Sequence, residues 1–489
     1  MGRRHSGRVN EERVSIEQKM TDRKFVGMQL GPVSFVDEGV DAVLDTLAER
    51  VGVNVLFIGT VSWLGLKIGR SISWELDGWP DHGVAEPADV AGGSYLTPRP
   101  ELYENTLIRN FRAPDPGMKG KDILEMVIPG ARKRGMKIMP ELMEPLFKYA
   151  GHGSANTVPI PNLPQCLEVD YLGRIGPEPC LENPDYRNFW HALFEDHCRN
   201  YDIDGIMWCN ERRSPLDQLV SGTAPTCFCQ FCNTSLQSDG IDVERARAAS
   251  GKLYAFFQSV RAGEGFVDGT FIEFLRTLLQ HPEILLLERH WVRRNKDLDR
   301  ELYGITKWCN PDLEFGLNVW NRNHFNPIRK AEYPWAEVVD YADWVKPITY
   351  QHQSGQIYVK EMTAFYETLL QDATPEQWNP ILYEILGLNE AAWHELTEKG
   401  MGAKSYVGGQ CRDTVQALDG KLPVYMGVGV DAPRVSPEQA KCTPEIVQES
   451  VLATYAAGGA GVIFSPNYAS MNLSNLDGAA RALEELGLK

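Results

Sequence analysis

Short apolar runs recur along the whole chain, and the segments between them have the apolar spacing of amphipathic helices. In the segments 37–52 and 121–135, for example, the apolar positions repeat at the helical period. Continuous apolar runs that alternate with such helices are typical of a parallel sheet covered on both faces. Eight runs qualify as buried strands: 25–30, 53–59, 136–142, 203–209, 313–320, 344–350, 422–430 and 460–465.

This alternation predicts a (β/α)8 TIM barrel, because eight strand–helix units are the number that closes such a barrel. Gly52, Gly135 and Gly459 each stand just before a predicted strand, where a left-handed residue ends a helix. An open, doubly wound sheet with a similar number of strands is the alternative. It is disfavoured because no Gly-x-Gly-x-x-Gly motif follows the first strand.

The connections after predicted strands 2, 3, 4 and 6 are much longer than the usual βα loop of about 2 to 6 residues. Long βα loops of a barrel lie at the C-terminal ends of the strands, where active sites form. The connection after strand 4 predicts its own helices at 242–261, 268–280 and 283–308. We expect one barrel domain over 23–489, with a helical insertion at about 233–312 and a polar extension at 1–22.

Composition and charge argue against several classes of binding partner. A net charge of −17 argues against nucleic acid and anionic membranes, and it suits a neutral or cationic ligand. The N-terminus lacks the apolar core of a secretory signal, and the chain lacks an apolar run of the roughly 18 residues that a membrane span needs. Ten cysteines without such a signal predict a reducing, cytoplasmic location. The sequence leaves a homo-oligomer open.

Polar and aromatic residues follow the predicted strand ends, where they would share one pocket. Amides and carboxylates would bind hydroxyl groups, and aromatic rings would stack on sugar rings. The candidates for substrate binding are Gln29, Trp63, Asn210, Asn318, Trp320, Tyr350 and His352, with His82 in a loop that either closes over the substrate or simply packs. This chemistry favours a small carbohydrate, although other polyols would fit, and it calls for no organic cofactor.

Cleavage of a glycosidic bond needs two carboxyl groups, one on each side of the bond. Glu211, at the end of strand 4, is the candidate general acid, and a salt bridge to Arg212 or Arg213 is its alternative role. The candidates for the second carboxylate are Asp431 after strand 7 and Glu141 in strand 3. Asp431 could instead cap a helix, and Glu141 could instead form a loop salt bridge.

Three cysteines form a Cys-x-Cys-x-x-Cys motif in the segment TCFCQFC. They are Cys227, Cys229 and Cys232, and they cannot all pair with one another. Three thiols at this spacing suit a tetrahedral Zn²⁺ site that lacks one ligand, although three unrelated structural thiols are the alternative. The candidates for the fourth ligand are Cys166, Cys180 and Cys209. A closed four-thiolate site is structural, so the metal would stabilise the loop that lies next to Glu211.

Three segments in order carry a family resemblance: VDYLGRIGPEPCLENPDYRNFW at 169–190, DGIMWCNE at 204–211 and CFCQFC at 227–232. Their order resembles the family 42 glycoside hydrolases, the β-galactosidase-like barrels of clan A. By this resemblance Cys180 would complete the zinc site, Asn210 would bind a substrate hydroxyl, and Glu211 would be the acid/base.

The chain departs from that family at strand 7, where the family has a glutamate nucleophile and this sequence offers Asp431. Glu384 is another acidic candidate, but its surroundings indicate a helical insertion.

The expected function is cleavage of a small neutral glycoside or oligosaccharide by carboxylate acid/base catalysis. One alternative is a metal-dependent sugar lyase or isomerase, in which His324 and His352 would join Glu141 or Asp431 as ligands. The other is a non-catalytic carbohydrate-binding barrel.

Overall fold

The computed structural model describes residues 25–62, 93–113, 116–144, 160–432 and 436–489. Within these ranges, eight parallel strands close into a barrel. They are β1 (Phe25–Leu30), β2 (Val55–Gly59), β3 (Lys137–Glu144), β4 (Gly205–Asn210), β5 (Glu314–Val319), β6 (Trp344–Thr349), β7 (Tyr425–Gly429) and β8 (Gly461–Ser465). Each predicted strand coincides with one of these strands. The prediction of a (β/α)8 barrel is therefore confirmed.

Each strand pairs with its neighbour in chain order, and β8 closes the ring on β1. At that closure Phe25 aligns with Gly461, while on its other side β1 pairs in parallel with β2. The open, doubly wound alternative is wrong, because such a sheet would leave two edge strands unpaired.

Every second side chain of each strand points into the barrel, and the N-terminal half of the interior is apolar. The buried residues there are Phe25, Val55, Phe57, Met139, Met207, Trp344, Tyr425 and Ile463. Phe25 stacks on Tyr425 with ring centroids 3.7 Å apart. Gly316 leaves room for the Trp344 ring, since an added Cβ would lie 2.0 Å from it. This end of the barrel is therefore a packed core.

Helices surround the barrel, and further helices occupy the long connections after β4 and β6. In the first half of the described chain they are α1 (Pro32–Asp37), α2 (Val40–Asp45), α3 (Ile123–Lys133), α4 (Pro184–Asn200), α5 (Pro215–Val220), α6 (Gln230–Ser238), α7 (Val243–Arg261), α8 (Thr270–Gln280) and α9 (Glu283–Cys309). In the second half they are α10 (Arg322–Phe325), α11 (Pro327–Glu332), α12 (Trp335–Val338), α13 (Gln351–Tyr366), α14 (Pro375–Leu386), α15 (Leu396–Lys399), α16 (Gly408–Ala417), α17 (Pro444–Ala456) and α18 (Leu473–Glu485).

Side-chain caps explain where several of these helices begin. Asp122 accepts hydrogen bonds from the backbone N–H groups of Leu124 and Glu125 at the start of α3. Asn183 caps α4 in the same way, and a proline follows it at the first helical position. The helices α7, α8 and α9 lie where the sequence predicts helices in the connection after β4. Among the described residues, no helix combines the length and the apolarity that a membrane span requires.

Three sequence predictions fall outside the described residues. They concern Trp63, His82 and the extension at 1–22.

Candidate active site

A hydrogen-bonded chain of three polar side chains lies inside the C-terminal half of the barrel. Lys346 Nζ in β6 donates to Gln29 Oε1 in β1 at 2.6 Å, and Gln29 Nε2 donates to Glu141 Oε1 in β3 at 2.5 Å. Lys346 and Gln29 are buried, whereas Glu141 is partly exposed. The chain therefore links a buried cation to the carboxylate of a partly exposed residue.

Burial and charge act against each other in this chain. Burial raises the pKa of Glu141, and the positive charge of Lys346 and the hydrogen bond from Gln29 only partly offset that effect. Burial lowers the pKa of Lys346 to about 8, although Glu141, Cys209 and Glu211 oppose the shift. The carboxylate of Glu211 thus acts on both Lys346 and Glu141. The three ionisable groups form one electrostatic unit.

A second chain orients Glu211. Asn318 Nδ2 in β5 donates to Cys209 Sγ at 2.9 Å, and Cys209 Sγ donates to Glu211 Oε1 at 3.2 Å. Burial raises the pKa of Cys209 well above its ordinary value, and the charge of Glu211 adds to the effect. The thiol therefore keeps its proton and serves as a donor. Glu211 itself is partly exposed.

Tyr350 follows β6, and the negative charges of Glu141 and Glu211 both act on its hydroxyl group. Burial raises its pKa, the charges of Glu141 and Glu211 raise it further, and a hydrogen bond with Ser465 opposes them. The structure thus brings together five of the predicted site residues: Gln29, Glu141, Glu211, Asn318 and Tyr350.

Two members of this site were not assigned to it from the sequence: Lys346 was not singled out, and Cys209 was considered only as a zinc ligand, whereas the structure places Cys180 and not Cys209 in the cysteine cluster. Both occupy inward positions of their strands, two residues beyond the buried Trp344 and Met207. The segment WVKPITY holds a single charged residue in an otherwise apolar strand, and that lysine was the available signal. A charge buried in a strand requires a partner, which Gln29 and Glu141 provide.

Asn210 points away from the barrel interior. Its Nδ2 donates to Asn295 Oδ1 at 3.1 Å and to Asp299 Oδ1 at 3.3 Å, and both acceptors lie in α9. Trp208, on the same face of β4, donates to Asp299 at 2.8 Å. Asn210 therefore ties β4 to the insertion helix, while its own Oδ1 has no hydrogen-bond partner.

Asp431 holds the start of α18 instead of joining the two glutamates. Its oxygens accept four hydrogen bonds of 2.7 to 3.1 Å from Asn472 and Asn475. A carboxylate offers about four lone-pair sites, so these contacts use its acceptor capacity. The residue has a φ of +49°, a left-handed conformation that aspartate tolerates better than most residues.

Trp320 and His352 are buried by the protein itself. The Trp320 side chain is covered by two guanidinium groups, whose carbons lie 4.6 Å (Arg322) and 4.4 Å (Arg329) from the ring centroid.

Burial lowers the pKa of His352 to about 4 and that of His324 to about 3. Neither histidine belongs to a group of three or more potential metal ligands among the described residues.

Four cysteines form a cluster that could hold a metal ion. The ligand atoms of Cys180, Cys227, Cys229 and Cys232 all lie within 4.8 Å of one another. The Sγ of Cys180 is 3.5 Å from that of Cys229 and 3.4 Å from that of Cys232. Backbone N–H groups donate to the sulfurs of Cys180 and Cys227 at 3.4 Å. Cys166 and Cys209 lie outside the cluster.

Arg212 connects the cysteine cluster to the barrel. It is buried, and it donates to Glu144 Oε1 at 3.0 Å and to Glu168 Oε1 at 2.7 Å. Glu168 in turn accepts a hydrogen bond from the hydroxyl of Thr226, the residue before Cys227. The arginine next to Glu211 therefore anchors the cysteine loop to the end of β3.

No protein family model matches the sequence, and no curated protein matches it. One similar solved structure is the glycoside hydrolase domain of PgaB (BpsB) from Bordetella bronchiseptica, with a TM-score of 0.47 and 11% identity over 94% of this chain and 98% of that one. Another is α-L-fucosidase isoenzyme 2 from Paenibacillus thiaminolyticus, with a TM-score of 0.47 and 12% identity over 95% of this chain. A third is β-galactosidase from the psychrophilic Marinomonas ef1, with a TM-score of 0.49 and 10% identity over 95% of this chain.

The chain spans 49% of the fucosidase and 61% of the β-galactosidase. Because all three TM-scores are below 0.5, these likenesses carry no inference about chemistry. The function has to be inferred from the side chains of this chain.

Proposed function

We propose that the protein is a glycoside hydrolase that cleaves a glycosidic bond of a small glycoside or oligosaccharide. The observation that carries this proposal is the pair of partly exposed glutamates on neighbouring strands. Glu141 lies within β3, in register with Met207 of β4, and Glu211 directly follows β4. Each carboxylate acts on the same buried lysine, and Glu211 raises the pKa of Glu141. Two carboxyl groups in one site are the groups that hydrolysis of a glycosidic bond requires.

The surroundings of the two glutamates favour different roles for them. Lys346 and Gln29 stabilise the ionised form of Glu141, so we assign Glu141 as the carboxylate that acts as nucleophile or base. Glu211 directly follows β4, and we assign it as the general acid on the ground of that position. The hydrogen bond from the neutral Cys209 thiol holds its side chain in place. Asp431 has no part in this assignment, since Asn472 and Asn475 already bind its carboxylate.

Zn²⁺ is the metal that we propose for the cysteine cluster. In a tetrahedral site with Zn–S bonds of about 2.3 Å, neighbouring sulfurs lie about 3.8 Å apart. The separations of 3.4 and 3.5 Å around Cys180 are close to that value. Backbone N–H groups that donate to the sulfurs are the kind of outer contact that stabilises thiolate ligands. Four thiolates leave no open coordination position, so the zinc would hold the loop after β4 and take no part in bond cleavage.

The state of the cysteines supports a proposed cytoplasmic location. None of the ten cysteines forms a disulfide in this structure. Free thiols and a thiolate metal site are both stable in a reducing compartment.

Replacing Glu141 tests the assignment of the second carboxylate. Glu141→Gln keeps the side-chain shape and removes the negative charge, so we expect kcat on 4-nitrophenyl glycosides to fall by about 10² to 10⁴-fold. The matched control is Glu384→Gln, because Glu384 is the other acidic candidate and lies exposed on α14. Its kcat should equal that of the wild type. Unchanged turnover in Glu141→Gln would contradict the assignment.

A further inference from the structure

The helix α8 exposes a stripe of apolar side chains. Phe271, Leu275 and Leu279 follow one another at intervals of four residues, and Ile272 lies three residues before Leu275, so all four share one face of the helix. These four residues, termed the α8 stripe, are 39 to 84% exposed. Phe274, on the adjoining face, is buried. The helix is therefore apolar on the face that it buries and also on a face that it leaves exposed.

The exposed apolar surface does not end with α8. Leu285 and Leu286 lie in the first turn of α9, which begins three residues after α8 ends, and both are exposed. Single apolar residues scattered over a surface are normal, whereas several on one face with charged residues around them are typical of a contact surface. The charges at the two ends of the α8 stripe indicate what binds there.

The N-terminal end of the α8 stripe is acidic. Asp268 and Glu273 both bind Arg276, which lies on α8 beside the stripe. The carboxylate of Asp372 accepts hydrogen bonds from two backbone N–H groups in the first turn of α8. Three carboxylates (−3) and one guanidinium (+1) therefore give this end a net charge of −2.

The C-terminal end is basic. Lys252 Nζ lies 3.3 Å from Nε2 of His281, the residue that follows α8. Arg289 is exposed in the second turn of α9, and Arg245 is paired with Glu283 in the first turn. With the histidine counted as neutral, three cations (+3) and one carboxylate (−1) give this end a net charge of +2.

Two copies of the α8 stripe complement each other in an antiparallel arrangement. With a two-fold axis at Leu275, the middle residue of α8, Phe271 faces the partner's Leu279, and the acidic end of each helix faces the basic end of the other. A two-fold interface is self-complementary, so each of these contacts occurs twice. A parallel arrangement would bring like charges together.

We propose that α8 is the contact surface of a homodimer, in which two copies of the chain pair their α8 stripes antiparallel about a two-fold axis at Leu275. This inference is independent of the proposed glycosidase function. A second copy fits the surface better than a membrane does, because anionic lipids would repel the acidic end. A standard interface takes about 20 to 30 residues from each partner, more than one helix and its surroundings supply, so we expect a weak dimer with a Kd of about 1 to 100 µM.

Sedimentation equilibrium under reducing conditions tests the dimer. Over protein concentrations of about 1 to 200 µM the wild type should change from monomer to dimer. Leu279→Glu should raise the Kd about 10-fold or more, because it places a charge in each apolar contact. The exposed position of Leu279 should allow this variant to fold. Ile385→Glu is the matched control, since Ile385 is 65% exposed on α14, and its Kd should equal that of the wild type.

Disulfide trapping tests the antiparallel pairing. Under mild oxidation with copper phenanthroline, Leu275→Cys should form a covalent dimer, because residues at a two-fold axis meet their own copies. Phe271→Cys and Leu279→Cys each lie four residues, or about 6 Å, from the axis, so each is about 12 Å from its own copy. That distance exceeds the span of a disulfide, so neither variant should form a covalent dimer alone. An equimolar mixture of the two should do so, and the wild type gives the background from the native cysteines.

Three outcomes would overturn the proposal. They are a wild type that stays monomeric over the whole concentration range, a Leu279→Glu variant that dimerises like the wild type, and a Leu275→Cys variant that forms no more covalent dimer than the wild type. If the wild type is monomeric, cosedimentation with phosphatidylcholine vesicles would test whether the α8 stripe binds a lipid surface instead.

Discussion

Lys346 and Glu141 stand at the two ends of a hydrogen-bonded chain that passes through one side chain, Gln29. The lysine comes from β6 and the glutamate from β3, so the chain crosses the barrel interior. Burial of Glu141 favours its protonated form. The positive charge of the buried lysine acts in the opposite direction and favours the ionised form. The relationship predicts how the activity depends on pH.

Lys346→Met should move the acidic limb of the pH–kcat/KM profile to higher pH. The wild-type lysine lowers the pKa of Glu141, so removal of its charge leaves burial unopposed and the carboxylate must be deprotonated at higher pH. The profile should be measured on an activated aryl glycoside. Lys346→Arg retains the charge and should move the limb less. An acidic limb that stays in place in Lys346→Met would show that the lysine only fills space.

Lys346 also predicts how stability depends on pH. Its pKa falls from an ordinary value of 10.5 to about 8 on folding. Between these values the unfolded chain binds more protons than the folded chain, so the lysine's contribution to stability rises as the pH increases from about 8 to about 10.5. The difference in free energy of unfolding between wild type and Lys346→Met should change by about 3 kcal/mol across this window. Denaturant titrations at both pH values would measure it, and a constant difference would argue against a buried, titrating lysine.

Asp431→Asn separates a structural role from a catalytic one. Asparagine adopts left-handed backbone conformations readily, so the φ of +49° should be retained. The new amide donor would face the donors of Asn472 and Asn475, and we expect a loss of about 1 to 3 kcal/mol in the free energy of unfolding. The kcat should stay within about twofold of the wild type. A fall of about 10² or more in kcat with unchanged stability would restore Asp431 as a catalytic carboxylate.

The cysteine cluster predicts about one zinc ion per chain in protein purified under reducing conditions. Cys229→Ser should lose the zinc and lower the melting temperature, because the metal would join Cys180 to the loop after β4. Cys309 lies outside the cluster, so Cys309→Ser should keep the zinc ion and the wild-type melting temperature. Elemental analysis would report the stoichiometry for all three proteins. Zinc-free wild type would contradict the assignment.

The sequence was sufficient to predict the barrel, because each buried strand is a mostly apolar run between helical segments, a pattern that needs no knowledge of the neighbouring strands. The site was only partly predictable. Side chains alternate between the two faces of a strand, so Lys346 points inward only if Trp344, two residues earlier, does so too. The structure shows this by placing Trp344 in the core. The choice between Asp431 and Glu141 depends on a left-handed residue and on contacts with Asn472, which lies 41 residues further along the chain.

Trp320 illustrates the same limit. Its position after β5 predicts a ring at the mouth of the barrel, but the two guanidinium groups over that ring come from α10 and α11. Sequence spacing does not show that Arg322 and Arg329 turn back onto the tryptophan. Contacts between neighbouring loops decide whether an aromatic ring at a strand end meets a ligand or the protein.

The central claim is that Glu211 donates a proton to the leaving group, and the kinetics of Glu211→Gln on two leaving groups test it most directly. The variant keeps the shape of the side chain and removes the proton donor. On a substrate with a poor leaving group we expect kcat to fall by about 10² to 10⁴-fold, the usual contribution of general acid catalysis. On a 4-nitrophenyl glycoside of the same sugar, which needs little protonation, the loss should be much smaller. Equal losses on the two substrates, or no loss on either, would contradict the role assigned to Glu211.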